Sequence, residues 1–151
     1  MIYFTVKMSH QTQFNVACNE GRLIDAQELL QDNEEDIDIH YGEVLNDIGV
    51  YPEFVSDLNF IHACSNGHLE VAKWLYSLGE VNIHGDDDDA FCCACSNGHL
   101  EVAKFLLDIC FEEDYDIFKD HMFYSACWTA EHRGHIQFKA WAQEVRTKIL
   151  R

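Results

Sequence analysis

The eleven residues ACSNGHLEVAK occur twice in this chain, at Ala63–Lys73 and again at Ala94–Lys104, 31 positions apart. A verbatim tandem duplication constrains the fold more than any other feature of the sequence. A catalytic centre needs its residues once. A stacked architecture needs the same helical unit again and again, because each unit buries its apolar face only against a neighbour. Two diverged copies accompany the identical pair. The pattern aromatic-x-x-Ala-Cys occurs as FNVAC at Phe14–Cys18, FIHAC at Phe60–Cys64, FCCAC at Phe91–Cys95 and FYSAC at Phe123–Cys127, with its phenylalanines 46, 31 and 32 residues apart. Each copy leads to a glycine and a helix-like run: GRLIDAQELL, GHLEVAKWLY, GHLEVAKFLL and GHIQFKAWAQ.

Each unit reads as two helices. Phe60, Ala63 and Cys64 fall at i, i+3 and i+4, one face of a first helix. Asn66-Gly67 and Asn97-Gly98 read as helix ends, since glycine closes a helix in the left-handed conformation. Leu69, Ala72, Trp74 and Leu75 mark the apolar face of a second helix, with Glu70 and Lys73 outward and favourably placed for the helix dipole. The resulting expectation is an all-α solenoid of about four helix pairs in one domain, 1–151. The units lie at about 12–40, 58–88, 89–118 and 121–150.

The paired short helices and the NGHLEVAK wording resemble ankyrin repeats over about 10–150. The family pattern opens with Thr-Pro-Leu-His, has an Ala-Ala pair and continues Gly-His-Leu-Glu-Val. Here Ala-Cys replaces Ala-Ala, and DAFC at Asp89–Cys92 replaces the opening, with Asp89 able to cap a helix as Thr does. TQFN at Thr12–Asn15 keeps the threonine. The repeat wording is similar to the large ankyrin families of amoeba-infecting giant viruses. Thirteen extra residues between His40 and Phe60, relative to His84 and Phe91, enlarge the finger at 41–57. Four extra residues separate Cys127 from Gly134, about one helical turn, and the basic last helix fits a terminal cap.

Charge narrows the class of partner. The net charge is −17. Residues 1–132 carry 5 basic and 26 acidic side chains, whereas 133–151 carry five basic residues and only Glu144. Such a body repels nucleic acid and anionic membranes. No run of 18 apolar residues offers a transmembrane helix, and the N-terminus lacks the pattern of a signal peptide, so the expected location is intracellular, or the host cytoplasm for a viral protein.

Seven cysteines and nine histidines raise metal and catalytic readings. Cys18, Cys64, Cys95 and Cys127 share one repeat position. At successive rungs about 10 Å apart they are too far from one another for one zinc or a disulfide, so they read as small buried hydrophobes. Cys93 is the expected exposed thiol. His68, His99 and His135 follow the turn glycine, where the resemblance implies that the ring braces the loop. His40 and His84 recur as a second pair. No cofactor is expected. DDDD at Asp86–Asp89 reads as a solvated acidic turn in which Asp86, Asp87 and Asp88 project, with calcium chelation as the lesser reading.

The resemblance implies a non-catalytic protein-binding module that works through a concave face of first helices and fingers. On this sequence those positions are His62, Cys93 and Ser125, with Asp86, Asp87 and Asp88 at one fingertip and Tyr41 and Glu43 in the enlarged finger. The partner is an unidentified protein with a basic surface, and the chain itself a monomer with weak self-association. The alternatives are a metal-binding or enzymatic protein using the Cys/His content, or a self-associating structural protein.

Overall fold

The computed structural model describes residues 8–37, 57–79, 81–113, 115–118 and 121–149, with Asp86 and Asp87 described by their backbone alone. Tyr41, Glu43 and nearly all of the enlarged finger lie outside the described residues. Four helix pairs follow one another: α1 (His10–Asn19) with α2 (Leu23–Asp32), α3 (Leu58–Ser65) with α4 (Leu69–Ser77), α5 (Gly85–Ser96) with α6 (Leu100–Glu112), and α7 (Met122–His132) with α8 (Gln137–Ile149). A short 3-10 turn, Glu34–Asp36, follows α2, and no strand occurs among the described residues.

The first helices form an inner layer, α1 on α3, α3 on α5 and α5 on α7. The second helices touch one another far less, as α4 and α6 do. Side-chain size explains the difference. The inner layer is built on Phe14, Phe60, Phe91 and Phe123 together with Ala17, Ala63, Ala94 and Cys18, Cys64, Cys95, all buried. Alanine and cysteine let the inner backbones approach closely, while the larger Leu75, Leu106, Phe138 and Trp141 fill the space beneath the outer helices.

The same turn joins each pair. The N–H of Arg22, His68, His99 and His135 reaches back five residues to the carbonyl of Ala17, Ala63, Ala94 and Ala130, at 2.8 to 3.0 Å. This is the closing bond of a Schellman motif, and it needs a left-handed residue in between. Gly21, Gly67, Gly98 and Gly134 supply it, with φ from 73° to 97°. In the fourth pair the turn is anchored on Ala130, four residues beyond Ala126, which is where the extra residues of that unit become one further turn of α7.

The glycines serve a second purpose. A Cβ on Gly21 would lie 2.5 Å from the ring of His68, one on Gly67 2.4 Å from His99, and one on Gly98 2.4 Å from His135. Each histidine therefore sits on the glycine of the preceding repeat. The His68 Nε2–H donates to the Asn19 carbonyl at 2.9 Å, and His99 is bonded to the backbone of Ser65. Asn66, Asn97 and Arg133 make a parallel ladder, donating to the Asn19, Ser65 and Ser96 carbonyls of the unit before.

The acidic turn differs from the sequence reading. Helix α5 starts at Gly85 and takes in the acidic run, with the left-handed backbone of Asp88 interrupting its first turn. Asp88 is only 5% exposed and does not project. Its φ of 60° turns the carboxylate inward, where Oδ1 meets His84 Nδ1 at 2.8 Å and Oδ2 accepts from the Tyr115 hydroxyl at 2.9 Å. Asp57, one repeat earlier, has the same left-handed backbone at φ 65° and is 3% exposed; its Oδ2 accepts the Asn82 N–H at 2.8 Å. Both aspartates pin the following finger from the helix entrance instead of capping the helix. Asp89 does not stand at the cap either. It lies within α5 and accepts from the Cys93 thiol one turn on.

The two roles of the turn glycine separate by substitution. Gly98→Ala and Gly134→Ala each meet the left-handed penalty of about 1–2 kcal/mol. Only Gly98→Ala also drives a methyl into a histidine ring, since nothing lies within 4 Å of a Cβ on Gly134. Urea denaturation should show Gly98→Ala clearly the less stable of the two. Equal losses would mean that the histidine seat gives way at no cost.

Candidate functional site

Three of the positions expected to face a partner share one register. His62, Cys93 and Ser125 each stand two residues after the buried phenylalanine of their helix, on α3, α5 and α7. Because those helices stack directly, the three side chains form a stripe across the inner layer. Val16 on α1 occupies the same register and extends it, a residue the sequence reading passed over although the phenylalanine spacing marks it. His62, Cys93 and Val16 are partly exposed and Ser125 is exposed.

Burial lowers the His62 pKa below its ordinary value, so the ring is held neutral. Burial, then the neighbouring Asp89 carboxylate, pushes the Cys93 thiol up to about 11. A carboxylate that accepts the S–H bond holds the proton on sulfur, the opposite of what a cysteine nucleophile requires. Arg133 adds a positive charge near the same thiol.

Of the acidic turn, Asp88 drops out of the exposed surface. It belongs to a network at the finger bases. His84 bridges Asp88 and Glu113, with Nε2 3.1 Å from Glu113, and its ring stacks on Tyr115 at 3.5 Å between centroids. The Tyr76 hydroxyl donates to the other Glu113 oxygen at 3.1 Å, tying the second pair to the third. The recurrence of His84 was legible in the sequence, but its partners were not, since Glu113 and Tyr115 lie about 30 residues downstream.

The described cysteines are all free thiols. Burial pushes Cys18 and Cys110 up to about 12, and Cys64 and Cys95 are raised further for the same reason. The spacing argument fails at one pair: Cys95 and Cys127 are within hydrogen-bonding contact. Among the described residues, no three His, Cys, Asp or Glu side chains converge to hold a metal ion, and no helix is long and apolar enough to cross a membrane.

A cleft of about 190 Å³ opens elsewhere, between α7 and α8, walled by Tyr124 and Trp128 on one side and Lys139 and Arg146 on the other. Trp128 is 61% exposed and lies against His132. The sequence signals for this cleft are the inverted order of FKAWA and a tryptophan in the inserted turn.

Two measurements bear on the buried groups. The folded protein disfavours protonated His62 and His99, both lowered chiefly by burial. The unfolded chain thus binds the extra protons, so this stability is fully present above the ordinary histidine pKa of 6.5 and is lost as pH falls through the lower folded values. Urea midpoints of the protein relative to His62→Gln should fall between about pH 7.5 and about pH 5.5; parallel midpoints would contradict the assignment. In native buffer, a thiol reagent should modify only the partly exposed Cys92 and Cys93, with the buried thiols reacting after denaturation. Rapid modification of all seven in the folded state would overturn the burial pattern.

Family models place this architecture. The model described as Ankyrin repeats (3 copies) matches residues 14–119 and 60–136, most of the chain. No curated protein matches the sequence at a significant level. Paired helices, glycine turns with a histidine on the preceding glycine, and this match lead to one assignment: the chain belongs to the ankyrin-repeat family.

Proposed function

We propose that the protein is a non-catalytic binding module that holds a protein partner against the inner layer of its stack. Ankyrin repeats in general are protein–protein interaction modules. The observation that carries the reading for this chain is the partly exposed stripe of Val16, His62, Cys93 and Ser125, placed at one register on successive rigid helices. A rigid surface costs little ordering entropy on binding, which is what a docking platform requires. The partner has a basic surface, since the body around the stripe is strongly acidic. Asp86 and Asp87 remain contact positions in this reading, as do Tyr41 and Glu43; Asp88 does not. The likeness of the repeat wording to giant-virus ankyrin proteins favours an adaptor that meets a host protein in the cytoplasm.

Site-specific photo-crosslinking tests the face. A crosslinking residue at 62, 93 or 125 should capture the same discrete adduct from cell lysate, while positions 73 and 104 on the outer helices should not. Capture from the outer positions alone would move the site to the other side of the stack. Asp86→Asn with Asp87→Asn should slow association with the captured protein more than it speeds dissociation, with the deficit shrinking as salt rises. Unchanged association at low salt would remove both aspartates from the interface.

A further inference from the structure

The two ends of the stack carry opposite charge at the positions where, inside the stack, one repeat meets the next. The outer helices align from their turn glycines. The residues four, seven and eleven places on are Val102, Phe105 and Ile109 in α6 and Phe138, Trp141 and Val145 in α8. These face the preceding repeat: Trp74 of α4 packs on Phe14, Phe105 on Tyr76 and Trp141 on Phe91. In α2 the same three places are Asp25, Glu28 and Asp32. The end of the stack at the first repeat thus replaces an apolar stripe with three carboxylates, of which Asp25 is paired with Arg22 and Glu28 and Asp32 are exposed.

The opposite face has the complementary change. Ala103, Leu107 and Cys110 of α6 are buried at 0%, 3% and 2% exposure, and the next repeat begins beyond them. Their equivalents in α8 are Lys139, Gln143 and Arg146, on the wall of the cleft, where Lys139 is paired with Glu131 and Arg146 is the further cation. In α5, Cys92 touches Met122 of α7 across the repeat boundary, and its equivalent in α7 is Tyr124. Gly134 has the open seat that the following histidine fills on Gly21, Gly67 and Gly98, and in the first repeat Arg22 stands at that histidine's place.

Ends that merely faced water would need polar residues of no particular sign. These ends differ in sign, and the basic one also exposes Trp128 and Tyr124. We propose that the α7–α8 face docks the first repeat of a second copy of this chain, head to tail, continuing the stack in register. The Tyr76–Phe105 contact becomes Gln143 against Glu28 of the second copy, with Lys139 and Arg146 flanking the carboxylates and Trp128 covered. A contact between two different faces leaves one of each unused in a dimer, and a stack continued in register does not turn back on itself within two copies, so association continues beyond a dimer. The inference stands apart from the inner-face reading, which needs neither end.

Sedimentation equilibrium tests it, with the protein between about 5 µM and about 500 µM at about 150 mM salt, where the repulsion between acidic bodies is screened beyond about 8 Å. The weight-average mass should rise past the dimer with concentration. Glu28→Lys/Asp32→Lys and Gln143→Glu/Arg146→Glu change residues on the two end faces, outside the buried core, so both should melt within a few degrees of the parent. Each should stay monomeric alone, having two like-charged ends, and their mixture should associate again. Trp128→Ala should weaken association at least tenfold. A parent protein that stays monomeric throughout, a mass that levels off at the dimer, or a mixture of the two variants that remains monomeric would each overturn the proposal.

Discussion

A histidine ring resting on a glycine of the preceding turn sets the spacing of this molecule. The contact works only because the glycine has no Cβ and tolerates the left-handed backbone that the helix end requires. One residue type thus satisfies a local and a long-range demand together. The local demand ends the inner helix and lets its last carbonyls find donors. The long-range demand brings the next turn near enough for ring and backbone to bond. The buried phenylalanines and the ladder of Asn66, Asn97 and Arg133 recur in the same register as this contact.

The stack also shows how polar groups are managed in a small repeat protein. Asp57 and Asp88 are nearly fully buried, which without partners would cost several kcal/mol each. Both are met by donors from the finger that follows, Asn82 for one and Tyr115 for the other, and Asp88 is met as well by His84 just before it. Their left-handed backbone carries strain, and the finger contacts offset it. The acidic run in the sequence is therefore divided in purpose. Asp88 is a structural clamp and Asp89 a partner for a thiol, while Asp86 and Asp87 belong to the proposed contact surface.

Repetition makes the departures informative. At a position that is apolar in three units, the fourth residue reports on its surroundings instead of its helix. Val71, Val102 and Phe138 have Asp25 as their counterpart; Ala26, Ala72 and Ala103 have Lys139. Neither change prevents helix formation, since the cost in propensity at a single site is small. Both alter what can be stacked on that side. The middle of the protein is held by shape and apolar burial, and its ends are distinguished by charge.

The sequence alone determined the number of helix pairs, their order, the buried phenylalanine, alanine and cysteine positions, and the turn glycines, because each is repeated and each depends on local periodicity or a single backbone requirement. The common register of His62, Cys93 and Ser125 was legible in the same way, from the spacing to the phenylalanines. Tertiary structure alone decided the rest. The burial of Asp88 depends on Tyr115, 27 residues away, and on a backbone angle that no run of four aspartates reveals. The contact of Cys95 with Cys127 depends on how α5 and α7, from different repeats, lie against each other. The cleft at Tyr124, Trp128, Lys139 and Arg146 exists only where two helices meet without a third to cover them, which is a property of the assembled stack and of no segment within it.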